Sequence, residues 1–239
     1  HPFCGGVPSD VRITTRYDES DFTSALMGVL HETGHAKYEQ GLPSEWSLSP
    51  VGAARGMAMH EGQSLLSEMQ VSRSREFLEF LLPHVHAAFP DAVHAQPEAF
   101  TVDNLYRFFT RVSRGKIRVD ADELTYPCHI IVRYGIERQL IDGNMRVEQI
   151  PEAWDTGMRE LLGIGTGQDY RDGCMQDVHW PSGAFGYFPT YTLGAMTAAQ
   201  LFRAALRKQP SLPRDIAGGS FDGLNSFLRE AVWSQASIL

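Results

Sequence analysis

Five consecutive residues, His31-Glu32-Thr33-Gly34-His35, restrict this chain more than any other stretch of its 239 residues. Two histidines four apart lie one above the other on a helix face, close enough to grip one zinc ion. The glutamate between them sits about 100° round the helix, where it can take a proton from an attacking water. The pattern is useful only on a helix, and residues 21 to 40 predict one. Phe22, Ala25, Leu26, Val29, Thr33 and Ala36 form an apolar seam at helical spacing, and Gly41 with Pro43 ends it. His31 and His35 fall roughly 180° and 220° from Phe22 on the helical wheel, so they are expected to face a cleft or solvent.

Catalytic zinc usually takes three protein ligands and keeps one position open. A third histidine six residues after His35 is excluded, because Gly41 stands there and Tyr38 replaces the glycine such a turn needs. A carboxylate from a neighbouring helix remains, with Glu39, Glu45, Glu61 and Glu68 as candidates. Glu39 is one more turn along the same helix, which would make the ligands too collinear for a tetrahedron. Glu61 lies 30 residues after His31 on the next long helical pattern, with about 15 connecting residues, ample to bring the two helices side by side, and is preferred. Glu68 shares its face two turns on, about 10 Å away, so only one of the two can ligate. Position alone leaves Glu68 open.

Beyond Gly56 the periodicity predicts a long helix to Leu82, stopped by Pro83, and a further helix over 101–113. A short extended piece follows at 116–119, then a helix over 122–142 and one from about Pro151 to Gly163. Residues 163–186 read as a long loop, and helices near 190–208 and 221–234 complete the chain. The expected class is mostly α, with little or no β-sheet. A hydrophobic fraction of 43% suffices for one large domain or two small ones. The net charge of −8 argues against nucleic-acid binding. No apolar run is long enough to span a membrane. Three widely spaced cysteines make no disulfide framework, and a reducing cytoplasm is the expected setting.

Three weaker signals are discounted. Gly163-Ile-Gly165-Thr-Gly167 follows a helix and lacks a P-loop lysine, so it reads as a helix cap and turn. Cys174 near His179 has nothing to lower its thiol pKa. His84, His86 and His94 read as a polar connector.

An ordered series of motifs then resembles the M32 carboxypeptidases, the carboxypeptidase Taq family. They are His1-Pro2-Phe3, Asp10-x-Arg12-x-Thr14, His31 to His35, His60-Glu61-Gly62-Gln63, Ile117-Arg118-x-x-Ala121-Asp122 and Gly173-x-x-Gln176-Asp177-x-His179-Trp180. The resemblance implies a multi-helix zinc-peptidase fold with a deep cleft. It also implies one zinc (cobalt is accepted in its place) on His31, His35 and Glu61, with Glu32 as general base. The implied substrate is a peptide with a free C-terminal carboxylate, and the implied assembly a cytoplasmic homodimer. Family members carry a helical segment before His-Pro-Phe, so residues 1–239 are expected to be a single C-terminal catalytic region.

An exopeptidase must recognise a terminal carboxylate, which arginine's fork binds bidentately. Arg118 is the first candidate and Arg12 the second; structural ion pairs with Asp10, Asp120 or Asp122 are the competing role. His179 and Tyr187 are candidates for stabilising the developing oxyanion, and Tyr191 and His1 for lining the substrate pocket. His60 is expected either behind the metal ligands or in the core. An endo-acting zinc oligopeptidase, or an inactive metal-binding fragment needing its N-terminal segment, are the alternative functions.

Overall fold

Asp21 starts the helix that carries the histidine pair: its carboxylate accepts from the backbone N–H groups of Thr23 and Ser24, at 3.0 and 3.3 Å. That helix, α1, runs Phe22–Gly41 in a computed structural model that describes residues 2–238. Ahead of it a two-residue turn joins β1 (Phe3–Val7) to β2 (Asp10–Thr14), antiparallel in the register Phe3↔Thr14 to Val7↔Asp10. Gly6 has φ 102°, which favours glycine beside such a tight turn. This hairpin is the only sheet among the described residues, and it packs on α1.

The remaining helices are α2 (Gly56–Leu65), α3 (Arg75–Ala88), α4 (Pro90–Ala95), α5 (Val102–Phe109), α6 (Tyr126–Ile141), α7 (Ile150–Leu162), α8 (Pro189–Lys208), α9 (Leu212–Ala217) and α10 (Asp222–Ala231). The mostly α class and the multi-helix fold are as expected. Two compact units emerge: His1–Phe109 with Leu193–Leu239, and Thr110–Thr192. In the first, α1 packs on α2, α3 packs on α5 and α9, and α10 meets the 3-10 turn Trp233–Gln235. Tyr38, Leu65, Leu66, Phe77, Ala198, Leu212, Phe227 and Trp233 are among the side chains filling its core. In the second, α6 packs on α7 around Ile136, Trp154, Met158 and Leu162.

Several expectations are corrected. The long helix over 56–82 is broken: α2 passes into a π-helical turn at Leu66–Val71, and α3 starts only after Ser74 caps it. Pro83 does not stop α3. Val85, two residues further on, is buried with Phe77 and Leu78, and that packing anchors the helix beyond the proline. His84 and His86 are therefore helical, not part of a connector. Residues 116–119 contain a 3-10 turn from Arg118 in place of an extended piece. The apolar seam of α1 is only half-buried; its fully buried stripe is Met27, Glu32, Gly34, His35, Tyr38 and Gly41. The histidine face thus packs inward, because it lies against α2. The loop over 163–186 and the left-handed cap at Gly163 (φ 69°) are as read from the sequence.

Candidate metal centre

Close approach of α1 and α2 creates the site. A Cβ on Gly34 would collide with the carbonyl oxygen of Gln63 and lie 2.6 Å from Cα of Ser64, so only glycine permits this crossing. Behind Glu61, a Cβ on Gly194 of α8 would stand 2.9 Å from the Cβ of Glu61. α2 is thereby packed tightly on both sides against bare backbone, at Gln63–Ser64 by Gly34 and at Glu61 by Gly194.

Nε2 of His31 lies 3.6 Å from one oxygen of Glu61, and Nε2 of His35 lies 3.6 Å from the other. The ligand atoms of the three residues all lie within 4.8 Å of one another. Donors around a tetrahedral ion at zinc-like bond lengths stand about 3.4 Å apart, so the set fits one divalent ion. No other such group of histidines, cysteines and carboxylates occurs among the described residues.

Each histidine is held from behind by its other nitrogen. Nδ1 of His31 is 2.9 Å from Oε2 of Glu68, whose other oxygen accepts from Arg73. Nδ1 of His35 is 2.6 Å from Nδ1 of His60, and Nε2 of His60 is 2.7 Å from Oε1 of Glu39. Outer partners of this kind orient ligating imidazoles. Glu68, the open alternative for third ligand, thus stands behind His31, and Glu39 stands behind His60. Glu45 is exposed. The π-helical turn carries Glu68, and the Ser67 hydroxyl ties that turn to α1 by donating to the carbonyl of Leu30 at 2.7 Å.

The electrostatics match a cation site. Burial alone would hold the His31 imidazolium down, but the hydrogen bond and charge of Glu68, with Glu61 and Glu32, lift it to about 9. Burial and the neighbouring His31 and His60 push His35 down to about 3. Glu32 is buried, and desolvation outweighs His31 and His60 in raising its carboxyl. A carboxylate with a raised pKa beside a metal-binding pair is suited to accept a proton.

The second unit gathers the other motif residues round two buried arginines. Arg118 donates through Nη2 to Oδ1 of Asp177 at 2.8 Å and through Nε to Oδ2 at 3.1 Å. Nη2 of Arg133 donates to Oδ2 of the same carboxylate at 3.3 Å, and its guanidinium lies 4.2 Å from the ring centre of Trp180. Gln176 accepts from the backbone N–H of Arg118 at 2.7 Å. His179 Nε2 is 3.1 Å from the Tyr191 hydroxyl, and its ring lies 5.4 Å from that of Tyr187. The Gln-Asp-x-His-Trp motif therefore wraps the arginine pair. The partner of Arg118 is Asp177, not Asp10, Asp120 or Asp122 as the competing role supposed. Two of its three nitrogens are committed to Asp177; the third, Nη1, lies 3.4 Å from the Tyr126 hydroxyl.

Arg12 is on the exposed hairpin and pairs with Asp10 at 2.7 Å. His1 lies outside the described residues. The structure thus unites His31, Glu32, His35 and Glu61 in one unit, and Arg118, His179, Tyr187 and Tyr191 in the other. Arg73 had no role from the sequence, and Glu68 entered only as the alternative third ligand, not as the partner of His31. Only the shared helix face of Glu68 and Glu61 hinted at it.

Two histidines one turn apart, a glutamate from the packed neighbouring helix and a buried carboxylate between the histidines form a candidate metal centre with the His-Glu-x-x-His arrangement found in metallopeptidases. Residues 1–239 match the family model described as carboxypeptidase Taq (M32) metallopeptidase. The chain belongs to that family. It is 42% identical over 238 residues to thermostable carboxypeptidase 1 of Thermus thermophilus, covering 99% of this chain and 46% of the relative. To carboxypeptidase 1 of Bacillus subtilis it is 40% identical over 233 residues, covering 97% of this chain and 46% of the relative. The solved structure of Trypanosoma cruzi metallocarboxypeptidase 1 superposes with a TM-score of 0.94 at 48% identity, covering 100% of this chain and 49% of that one. The chain thus spans about half the length of the relatives it matches.

Proposed function

We propose that this chain is the metal-binding catalytic portion of a zinc carboxypeptidase that releases residues from the free C-terminus of peptides. One observation carries the reading. Both histidines turn Nε2 toward one carboxylate of Glu61, while both Nδ1 atoms are engaged from behind. Two imidazoles and one carboxylate suit zinc, and cobalt accepts the same donors.

When bound, the ion supplies a Lewis acid that polarises the scissile carbonyl and lowers the pKa of water. His31, His35 and Glu61 would hold it. Glu32 takes the proton of the attacking water on its carboxylate and returns it to the leaving amine nitrogen. Burial of Glu32 favours the protonated form between the two transfers. The Nη1 edge of Arg118 is the group assigned to the substrate's terminal carboxylate, since Asp177 fixes the rest of that fork. The His179–Tyr191 pair, with Tyr187 beside it, is assigned to the developing oxyanion and the pocket wall. Arg12 is retained as an exposed, weaker candidate for carboxylate binding, and His1 as a pocket residue.

A second reading has its own support in the chain's span of 46% of a relative: the chain holds the ion, and turnover requires the remainder. A cytoplasmic setting accords with free Cys4, Cys128 and Cys174. No helix among the described residues is long and apolar enough to cross a membrane. A homodimer is the assembly proposed from the resemblance, to be checked by light scattering.

Peptide digestion followed by mass spectrometry tests the function. Stepwise C-terminal loss, stopped by a chelator and by C-terminal amidation, is expected. Cleavage of amidated peptide would mean an endo-acting enzyme instead. About one zinc per chain without turnover would favour the second reading.

A further inference from the structure

His35 does not rest on a carboxylate, as His31 does, but on a second imidazole. Its Nδ1 stands 2.6 Å from Nδ1 of His60, and Nε2 of His60 stands 2.7 Å from Oε1 of Glu39. Two ring nitrogens at hydrogen-bond distance need one proton between them, one atom donating and the other accepting. A neutral imidazole has one donor and one acceptor nitrogen. Nε2 of His35 faces Glu61 and must keep its lone pair for an ion, so its proton is on Nδ1 and Nδ1 donates. Nδ1 of His60 must then accept, which leaves the His60 proton on Nε2. That nitrogen faces Glu39, whose carboxylate can only accept. Each tautomer is dictated by the next residue, and the series closes without a mismatch. With the His60 proton on Nδ1, two N–H groups would oppose each other at 2.6 Å, and a lone pair would face the carboxylate.

We propose that Glu39, acting through His60, sets the tautomer and ring orientation of His35 and so raises the affinity of the centre for a divalent ion. Glu39 and His60 are positioning residues: neither touches the ion site directly. Packing supports the relay. Glu39 lies one turn beyond His35 on α1, and His60 precedes Glu61 on α2, so the relay spans the same helix pair as the ligands. The fully buried Tyr38 ring holds that of His60 edge-on at 5.2 Å between centres, and His60 lies 4.7 Å from the ring of His35. The ring therefore has little freedom except to flip, and Glu39 decides which way it faces. The inference rests on the reading of His31, His35 and Glu61 as a metal site.

The test is zinc affinity of the 239-residue chain, measured by competition with a chromogenic chelator, for Glu39→Leu, Glu39→Gln, His60→Gln and the Glu39→Leu/His60→Gln pair. Glu39→Leu is expected to weaken zinc by about 10–100-fold, the usual effect of removing an outer partner. Glu39→Gln keeps an acceptor oxygen and is expected to recover most of that loss. The amide oxygen of His60→Gln accepts from His35 without help, so in that background Glu39→Leu is expected to add nothing. Nitrogen-15 NMR of the zinc-loaded wild type should find His60 protonated on Nε2 and bare on Nδ1, and Glu39→Leu should lose that single tautomer. Equal losses from Glu39→Leu in both backgrounds, a Glu39→Gln as weak as Glu39→Leu, or a His60 proton on Nδ1 would overturn the relay. A wild-type chain that binds zinc beside an unaffected Glu39→Leu overturns the relay alone. A wild-type chain that takes up no zinc overturns the metal site itself.

Discussion

Glu68 stands 2.9 Å behind Nδ1 of His31, so one imidazole is pinned between two carboxylates seven positions apart on the chain, with Glu61 before it and Glu68 at its back. Replacing Glu68 by Ala removes the acceptor for His31 and leaves Arg73 without its carboxylate. Zinc affinity is expected to fall by about 10–100-fold. The metal-free chain is expected to lose about 1–3 kcal/mol from the stranded donor. Chelator competition and urea denaturation read the two effects separately.

Glu32→Gln separates binding from chemistry. The side chain is isosteric and does not ligate, so zinc affinity is expected to stay within about threefold of wild type. Removing a general base typically costs about 10²–10⁴-fold in rate. Peptide hydrolysis at full rate by a zinc-loaded Glu32→Gln chain would remove Glu32 from the mechanism.

Gly34→Ala tests the helix crossing. The added methyl would meet backbone atoms of Gln63 and Ser64, which cannot swing aside as a flexible side chain would. Overpacking of this kind costs about 1–3 kcal/mol. Because Glu61 comes from the displaced helix, zinc affinity should fall together with the urea midpoint. A variant as stable as wild type and with unchanged zinc affinity would contradict the crossing.

His129 makes the second unit sensitive to mild acid. It is 1% exposed and neither ring nitrogen has a partner. Burial, and then the charge of Arg118, pushes it from 6.5 down to about 4. Between those values the unfolded chain binds a proton that the folded chain refuses, so stability falls as pH drops from about 6.5 toward 4. Urea midpoints at pH 7 and pH 5 should differ accordingly, and His129→Leu should flatten the difference.

Spacing along the chain made His31, Glu32 and His35 legible, because a helix converts four residues into one turn whatever surrounds it. Glu61 was legible for a similar reason: it lies on the next helical pattern, within easy reach of the first along the connecting segment. Glu68 was weighed only as a ligand; its place behind His31 lies on a π-helical turn, anchored by Ser67 to α1, that local periodicity does not announce. The face of α1 was misjudged because burial there follows the contact with α2, not the apolar residues. Asp177 was invisible as the partner of Arg118, since a pairing across 59 residues leaves no mark in local periodicity. The short helices α4 and α9 offer too few turns for a repeat to register.

The bare backbone of Gly34, and the crossing it permits, bear on how the chain folds. His31, His35, Glu39, His60, Glu61, Glu68 and Arg73, the side chains that form or back the candidate site, all fall in α1, α2, the π-helical turn and the short turn just after it. Such a site has low contact order, and its formation needs only the closure of the segment between α1 and α2. An ion captured there would staple those helices before any distant segment had docked. Metal uptake would then be an early event in the life of the chain.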